Sequence, residues 1–540
     1  MKLAITALLV VFLFSVNAQF VSSVTFPDTT IAKITDAADH AVMFANSISS
    51  KDLRRHLTVL ASDEYEGRET GARGNELSAS YIATQFKDMG LPAIGEDNSY
   101  FQGVAFNRTS WKKNAINVAG KDYKHLWDYL SFASLNEHQP YINPDEVIFL
   151  GYGIDDPNYS DYNSRSFTDK VIMINQGEPF DNNGNSRITG SSQPSEWTEN
   201  VFKKLKLAKE KGVKHVFIIE QEIQKFLGEN RKFLVSPNLE LGDGKYVSDF
   251  ANHTYISSTI AKDMIGKKAR KMKRWRKRNL KKGKSKPLAL KPDLTMNYVK
   301  NIDVTAGNNV LGYIEGTDKK DELVVISAHH DHLGKRNTDI YNGADDNGSG
   351  TSTVLEIAEA FQLAKEMGVG PRRSVLCLLV TGEEKGLLGS EYYGENPIFP
   401  LEKTVANVNI DMVGRIDKKY QDNPEYIYVI GSDRLSTDLH KINETANQKY
   451  AQIVLDYQYN SETDPNRYYY RSDHYNFAKK GIPAIFYFNG THDDYHRTSD
   501  TIEKINFDVM EKRGRLFFHT AWELANREEK IVVDGEVESN

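Results

Sequence analysis

In the C-terminal half of the chain, short apolar runs keep ending in carboxylates and imidazoles. ELVVISA is followed by His329 and Asp331, and the loop NTDIYNGADDNGSG then adds Asp345 and Asp346. RRSVLCLLV leads to Glu383 and Glu384, TVANVNI to Asp411, and IPAIFYF to His492, Asp493, Asp494, His496 and Asp500. Between these runs lie helical stretches such as SGTSTVLEIAEAFQLAKEM and GLLGSEYYGE. Continuous apolar strands alternating with helices predict an α/β fold with a mostly parallel central sheet flanked by helices on both faces. Ligands of such sheets bind outside the carboxyl ends of the strands, which is where the charged residues collect.

The residue types suit a metal centre. A carboxylate-bridged pair of divalent ions needs imidazoles, carboxylates and one shared carboxylate, with positions left open for water and substrate. Mixed imidazole and carboxylate donors favour zinc over magnesium or calcium, with manganese or cobalt as substitutes. Asp331, two residues past His329, suits a partner that fixes the tautomer of that imidazole. Taken singly, each feature has a plainer explanation. GADDNGSG is a turn with an aspartate cap, EEKG is an acidic helix start, and His332, His474 and His492 are surface or core histidines. Their coincidence at four strand ends is what points to a site.

At 540 residues the chain exceeds one ordinary core, so two domains or one large insertion are expected. MKLAITALLVVFLFSVNA has the layout of a cleavable signal ending at Ala18, and no later stretch is apolar enough to span a membrane, so export to a periplasm or the medium is expected. A single cysteine, Cys377, lies in an apolar run and behaves there as a small hydrophobe. Residues 19–140 form the N-terminal part, in which Ser50–Gly90 is helix, glycine-punctuated loop and helix, a scaffold by default. Residues 141–291 form a compact α/β or β-rich unit, and residues 292–540 carry the strand-end residues. The net charge is -6, yet thirteen of the twenty residues from Lys267 to Lys286 are Lys or Arg. Such a run is a solvated helix or a weak anionic-surface contact; export argues against nucleic acid.

AHHDHLG, NGADDNGSG, TGEEKGLLGS, NIDMVGR and YHRTSDT resemble, in order and spacing, the motifs of metallopeptidase family twenty-eight, the di-zinc family of bacterial leucyl aminopeptidases. LASDEYEGRETGARGNELSASYIATQF resembles the family's N-terminal helical segment, and the middle unit looks like the β-rich protease-associated domain inserted in many members. The resemblance implies a zinc-exopeptidase fold (phosphorylase/hydrolase-like) and two zinc ions. His329 and Asp411 would hold one ion and Glu384 and His496 the other, with Asp346 bridging. A water activated between them would have Glu383 as its general base, and the substrates would be peptides with free N-termini. No ligand position is substituted, which sets the chain apart from receptor-like and single-zinc cyclase branches. A carboxypeptidase or dipeptidase on the same cage stays open, with Arg415, Arg471 and Arg497 available for a terminal carboxylate, and two-metal sites also serve phosphoesterases. Tyr495, Arg415, Asp473 and His474 are the candidates near a substrate amine.

Overall fold

The computed structural model describes residues 37–537 apart from 163–164, 236–237, 245–247, 273 and 275–285. The expected signal and much of the basic run therefore lie outside the described residues. The chain divides into two compact units, one joining the stretch up to Gly103 with Asn308–Asn540, the other spanning Val104–Gly307.

In the first unit the sheet uses the end of β1 (Leu294–Ile314), then β2 (Lys319–His329), β3 (Arg373–Val380), β4 (Thr404–Ile410), β5 (Tyr426–Ile430), β6 (Val454–Asp456) and β7 (Ala484–Phe488). The spatial order is β1-β3-β2-β4-β7-β5-β6. Strands β3, β2, β4 and β7 run parallel, whereas β1 and β5 join antiparallel to β3 and β7. The sheet is thus parallel at its centre and mixed at its edges. The apolar runs are continuous because both faces are covered. Val324, Ile326 and Ala328 of β2 and Val375, Cys377 and Leu379 of β3 enter one core cluster, while Leu323, Val325, Leu376, Leu378 and Val380 enter another on the opposite face. Helices α1 (Ser50–Leu60), α2 (Arg73–Asp88), α3 (Gly350–Glu366) and α6 (Phe507–Asn526) supply the first cluster, where Phe361 stacks on Trp522 and packs at a tilt against Phe518. Helices α4 (Leu388–Glu395) and α5 (His474–Ala478) supply Tyr393 and Phe477 to the second. Cys377 is fully buried.

The second unit holds a six-stranded sheet. Val147–Phe149, Val171–Asn175, His215–Glu220 and His253–Ser257 run parallel, with Leu288–Leu290 and Tyr129–Leu130 antiparallel at the two edges. Helices Val201–Glu210 and Ser258–Ile265 accompany it, so the unit is α/β. Its bounds are wider than the 141–291 expected from composition. Most of Phe101–Val118 and of β1 belongs to it, and the half-buried alternation of Leu294, Met296 and Tyr298 with polar neighbours is a period-two signal that apolar-run counting passes over. Among the described residues no helix is long and apolar enough to cross a membrane.

Candidate metal centre

His329 is the last residue of β2, Glu383 and Glu384 open a short turn after β3, Asp411 directly follows β4, and His496 lies in the loop after β7. Asp345 and Asp346 sit in the irregular turn that feeds α3. Every one of these positions is at the carboxyl end of a parallel strand or in the loop leaving it, because parallel strands deliver their following loops to one end of the sheet. Two local conformations shape the turns. Gly343 has φ 57°, and a Cβ there would meet the Asp346 carbonyl oxygen at 2.2 Å and the His332 ring at 2.4 Å, so only glycine fits. His496 has φ 57°, a left-handed conformation that is uncommon for a side-chain-bearing residue and gathers at functional sites.

The side chains form two donor clusters sharing one carboxylate. Nε2 of His329 lies 3.3 Å from Asp411 Oδ1, 3.6 Å from Asp346 Oδ1 and 3.8 Å from Glu383 Oε2. Nε2 of His496 lies 3.0 Å from Asp346 Oδ2 and 3.3 Å from Glu384 Oε2. Asp346 therefore turns one oxygen to each cluster. Zinc bonds to nitrogen and oxygen of about 2.0–2.1 Å place tetrahedral ligand atoms roughly 3.3–3.4 Å from one another, and these separations scatter about that edge. His329 Nε2 is buried without a well-aligned hydrogen bond, which is expensive unless a cation completes the site. The donor set fits a pair of divalent ions.

The electrostatics agree. Burial works against charge on His329, but Asp411 and Glu383 beside it hold its imidazole well above the usual range. Burial likewise opposes His496, which Asp346 and Glu384 push up to about 10. Glu384 is held low against burial by His332 and His496. Burial pushes Glu383 well up, opposed by His329 and reinforced by Glu384, Asp411 and Asp473. A buried pocket so rich in carboxylates attracts cations.

Supporting residues fix each donor. The Asp411 carboxylate accepts the Ser472 hydroxyl at 2.7 Å through Oδ2, leaving Oδ1 for His329. Ser472 in turn accepts from Asn409. The amides of Asp345 and Asp346 both donate to Asp500 Oδ2, at 3.0 and 3.2 Å. Asp331 does its work differently from the sequence expectation. Nδ1 of His329 is 3.1 Å from the Asp331 main-chain carbonyl and 3.7 Å from its carboxylate, so the carbonyl is the acceptor that fixes the tautomer. The carboxylate instead accepts the amides of Glu383 and Glu384 and the Thr70 hydroxyl, binding the turn after β3 to the turn after β2.

The three histidines set aside by sequence part company. His474 is a core residue stacked on Phe486. His492 lies behind the site with Nε2 3.1 Å from Asp345 Oδ2. His332 belongs to the site: it is fully buried, its Nδ1 is 2.7 Å from Glu384 Oε1 and 3.8 Å from Asp346 Oδ2, and it forms a potential ligand set with those two carboxylates. A lone histidine carries no sequence signal that separates these three environments. His332→Gln is expected to weaken retention of the ion at Glu384 by about 10-fold or more, in line with other residues that orient metal ligands. Chelator competition reads this, and unchanged retention would show that Glu384 needs no such neighbour. Arg415, a candidate for substrate contact, is 2.8 Å from Asp494 and 3.7 Å from Asp500. Tyr495 stacks on His496 with ring centroids 3.9 Å apart.

Part of the chain is similar to known proteins. The chain is 32% identical over 231 residues to leucine aminopeptidase 1 of Sclerotinia sclerotiorum, covering 40% of this chain and 56% of that protein. It is 28% identical over 260 residues to a probable zinc metalloprotease of Pyrenophora teres f. teres, covering 40% and 51%. The chain thus spans little more than half the length of the curated relatives it matches. Its fold resembles that of a solved aminopeptidase from Aneurinibacillus sp. strain AM-1, with a TM-score of 0.50 at 16% identity over 92% of this chain and 98% of that one. The family model that matches is Peptidase family M28, over residues 309–521, a span holding all of His329, Asp346, Glu383, Glu384, Asp411 and His496. Residues 309–521 are thus similar to peptidase family M28.

Proposed function

We propose that the protein is an exported, zinc-dependent aminopeptidase that removes N-terminal residues from peptides. The observation that carries this is Asp346, whose two oxygens face two separate imidazole-carboxylate clusters at distances suited to zinc. His329 and Asp411 would hold one ion, Glu384 and His496 the other, and Asp346 both; manganese or cobalt would suit the same donors. Two ions there would supply Lewis acidity and charge stabilisation for amide hydrolysis. Glu383, at the edge of the first cluster, takes the proton of the attacking water and returns it to the leaving amine. Asp331 holds the amides of Glu383 and Glu384 and so keeps the base and the ligand side by side. Arg415 is already paired with Asp494, which favours recognition of a free amine over capture of a terminal carboxylate. Export rests on the leader-like first eighteen residues; in this reading the Val104–Gly307 unit is a protease-associated domain.

Exhaustive chelation is expected to abolish hydrolysis of aminoacyl p-nitroanilides, and zinc or cobalt to restore it. Full activity after metal removal would overturn the assignment. Cleavage of N-blocked peptides from their C-termini, without action on free N-termini, would point to a carboxypeptidase instead.

A further inference from the structure

Arg68 lies in the loop between α1 and α2, in the stretch EYEGRETG. Glu66, Gly67 and Arg68 all have left-handed backbone, with φ of 46°, 68° and 52°. A Cβ on Gly67 would meet the Tyr341 and Gly334 carbonyl oxygens at 2.4 and 2.5 Å, so the turn presses directly on the loop between β2 and α3. This turn sends the Arg68 side chain inward, where only 1% of the residue remains exposed.

Among the described residues the Arg68 guanidinium forms no ion pair with a carboxylate. It donates to main-chain carbonyls: Nε to His330 at 3.0 Å, Nη1 to Leu60 and Asn342 at 2.6 Å each, and Nη2 to Gly343 at 2.8 Å. His330 follows the ligand His329, and Asn342 and Gly343 lead into Asp345 and Asp346. One planar fork thus ties the loop of the first ligand to the loop of the bridging ligand. Burial draws the guanidinium down to about 10, and Asp346, Asp331, Asp500 and Glu384 oppose that. Its neighbours extend the clasp. The Arg68 carbonyl accepts the His332 amide at 3.2 Å, Glu69 pairs with Lys385 at 3.1 Å beside the turn after β3, and the Thr70 hydroxyl donates to Asp331 at 2.8 Å.

We propose that Arg68, supported by Thr70, is a positioning residue of the metal centre, holding the His329 and Asp346 loops at the spacing the two ions require. The inference rests on the reading of this site as a two-metal centre. A buried charge that merely filled space would give the opposite metal response. Removing a cation near two dication sites should tighten ion binding by simple electrostatics, whereas releasing two ligand loops should weaken it. The sign of the change therefore discriminates.

The experiment measures zinc affinity by chelator competition on the full chain, with circular dichroism and the thermal midpoint of the metal-stripped protein as controls for folding. Arg68→Met keeps the apolar stem and removes charge and donors. Arg68→Lys keeps the charge but replaces the five-donor fork by a single ammonium. Thr70→Val keeps shape and loses only the hydroxyl. Folded Arg68→Met and Arg68→Lys should each bind zinc about 10–100-fold more weakly than the parent, as for other residues that orient ligands, and Thr70→Val several-fold more weakly. Zinc binding by Arg68→Met equal to or tighter than the parent would overturn the proposal. If neither Arg68 variant folds, Thr70→Val decides, and parental affinity there overturns it. A parent chain that retains no zinc, manganese or cobalt would instead remove the metal-centre reading itself.

Discussion

Glu383→Gln is expected to retain both ions while turnover falls about 10²–10⁴-fold or more. The substitution keeps the size of the side chain and the main-chain bond to Asp331, but the new amide cannot accept the proton of the attacking water. Glu384→Gln should behave differently, losing or loosening one ion, because a neutral amide is a poorer ligand than a carboxylate. The comparison is needed because Glu383 Oε2 lies only 3.8 Å from His329 Nε2, within reach of the first donor cluster. Metal stoichiometry measured beside kcat separates the two roles. If Glu383→Gln emptied a position while Glu384→Gln kept both ions and lost only turnover, the assignments would have to be exchanged.

Asp346→Asn is expected to have the broadest effect on metal content. In the native chain Oδ1 faces His329 and Oδ2 faces His496. An asparagine offers one acceptor oxygen and one amide nitrogen without a usable lone pair, so it can serve one cluster at most. Activity should drop to near background, by about 10³-fold or more, and bound metal should fall below that of Glu384→Gln. Asp411→Asn is the control, since Asp411 faces only the first cluster and its other oxygen is occupied by Ser472. If Asp346→Asn kept its full metal content while Asp411→Asn did not, Asp346 would not be the bridge.

The amino-acid order alone determined a good deal. Continuous apolar strands separated by helices required a sheet covered on both faces, and β2 and β3 bury alternate residues in two separate cores for that reason. The strand-end placement of His329, Glu383, Glu384 and Asp411 was legible because a strand end is a local property: the residue after an apolar run is necessarily delivered to the end of the sheet. The short antiparallel strand β5 escaped that reading, as did the long alternating strands that widen the second unit, since their half-buried pattern leaves no apolar run to find.

What only the tertiary structure decided concerns partners far apart in the chain. His332, His474 and His492 are equivalent as letters, yet one joins Glu384, one joins the core and one supports Asp345, according to which loop each meets in the fold. Asp331 was legible as a neighbour of His329, but the division of labour between its carbonyl and its carboxylate was not, because the amides of Glu383 and Glu384 reach it from another strand. Arg68 shows the limit most clearly. In sequence it is one cation in a glycine-punctuated loop, and its role arises because the carbonyls of His330, Asn342 and Gly343, more than 250 positions away, converge on a single guanidinium. Main-chain carbonyls are chemically identical in every residue, so the acceptors that give Arg68 its function leave no trace in the order of side chains.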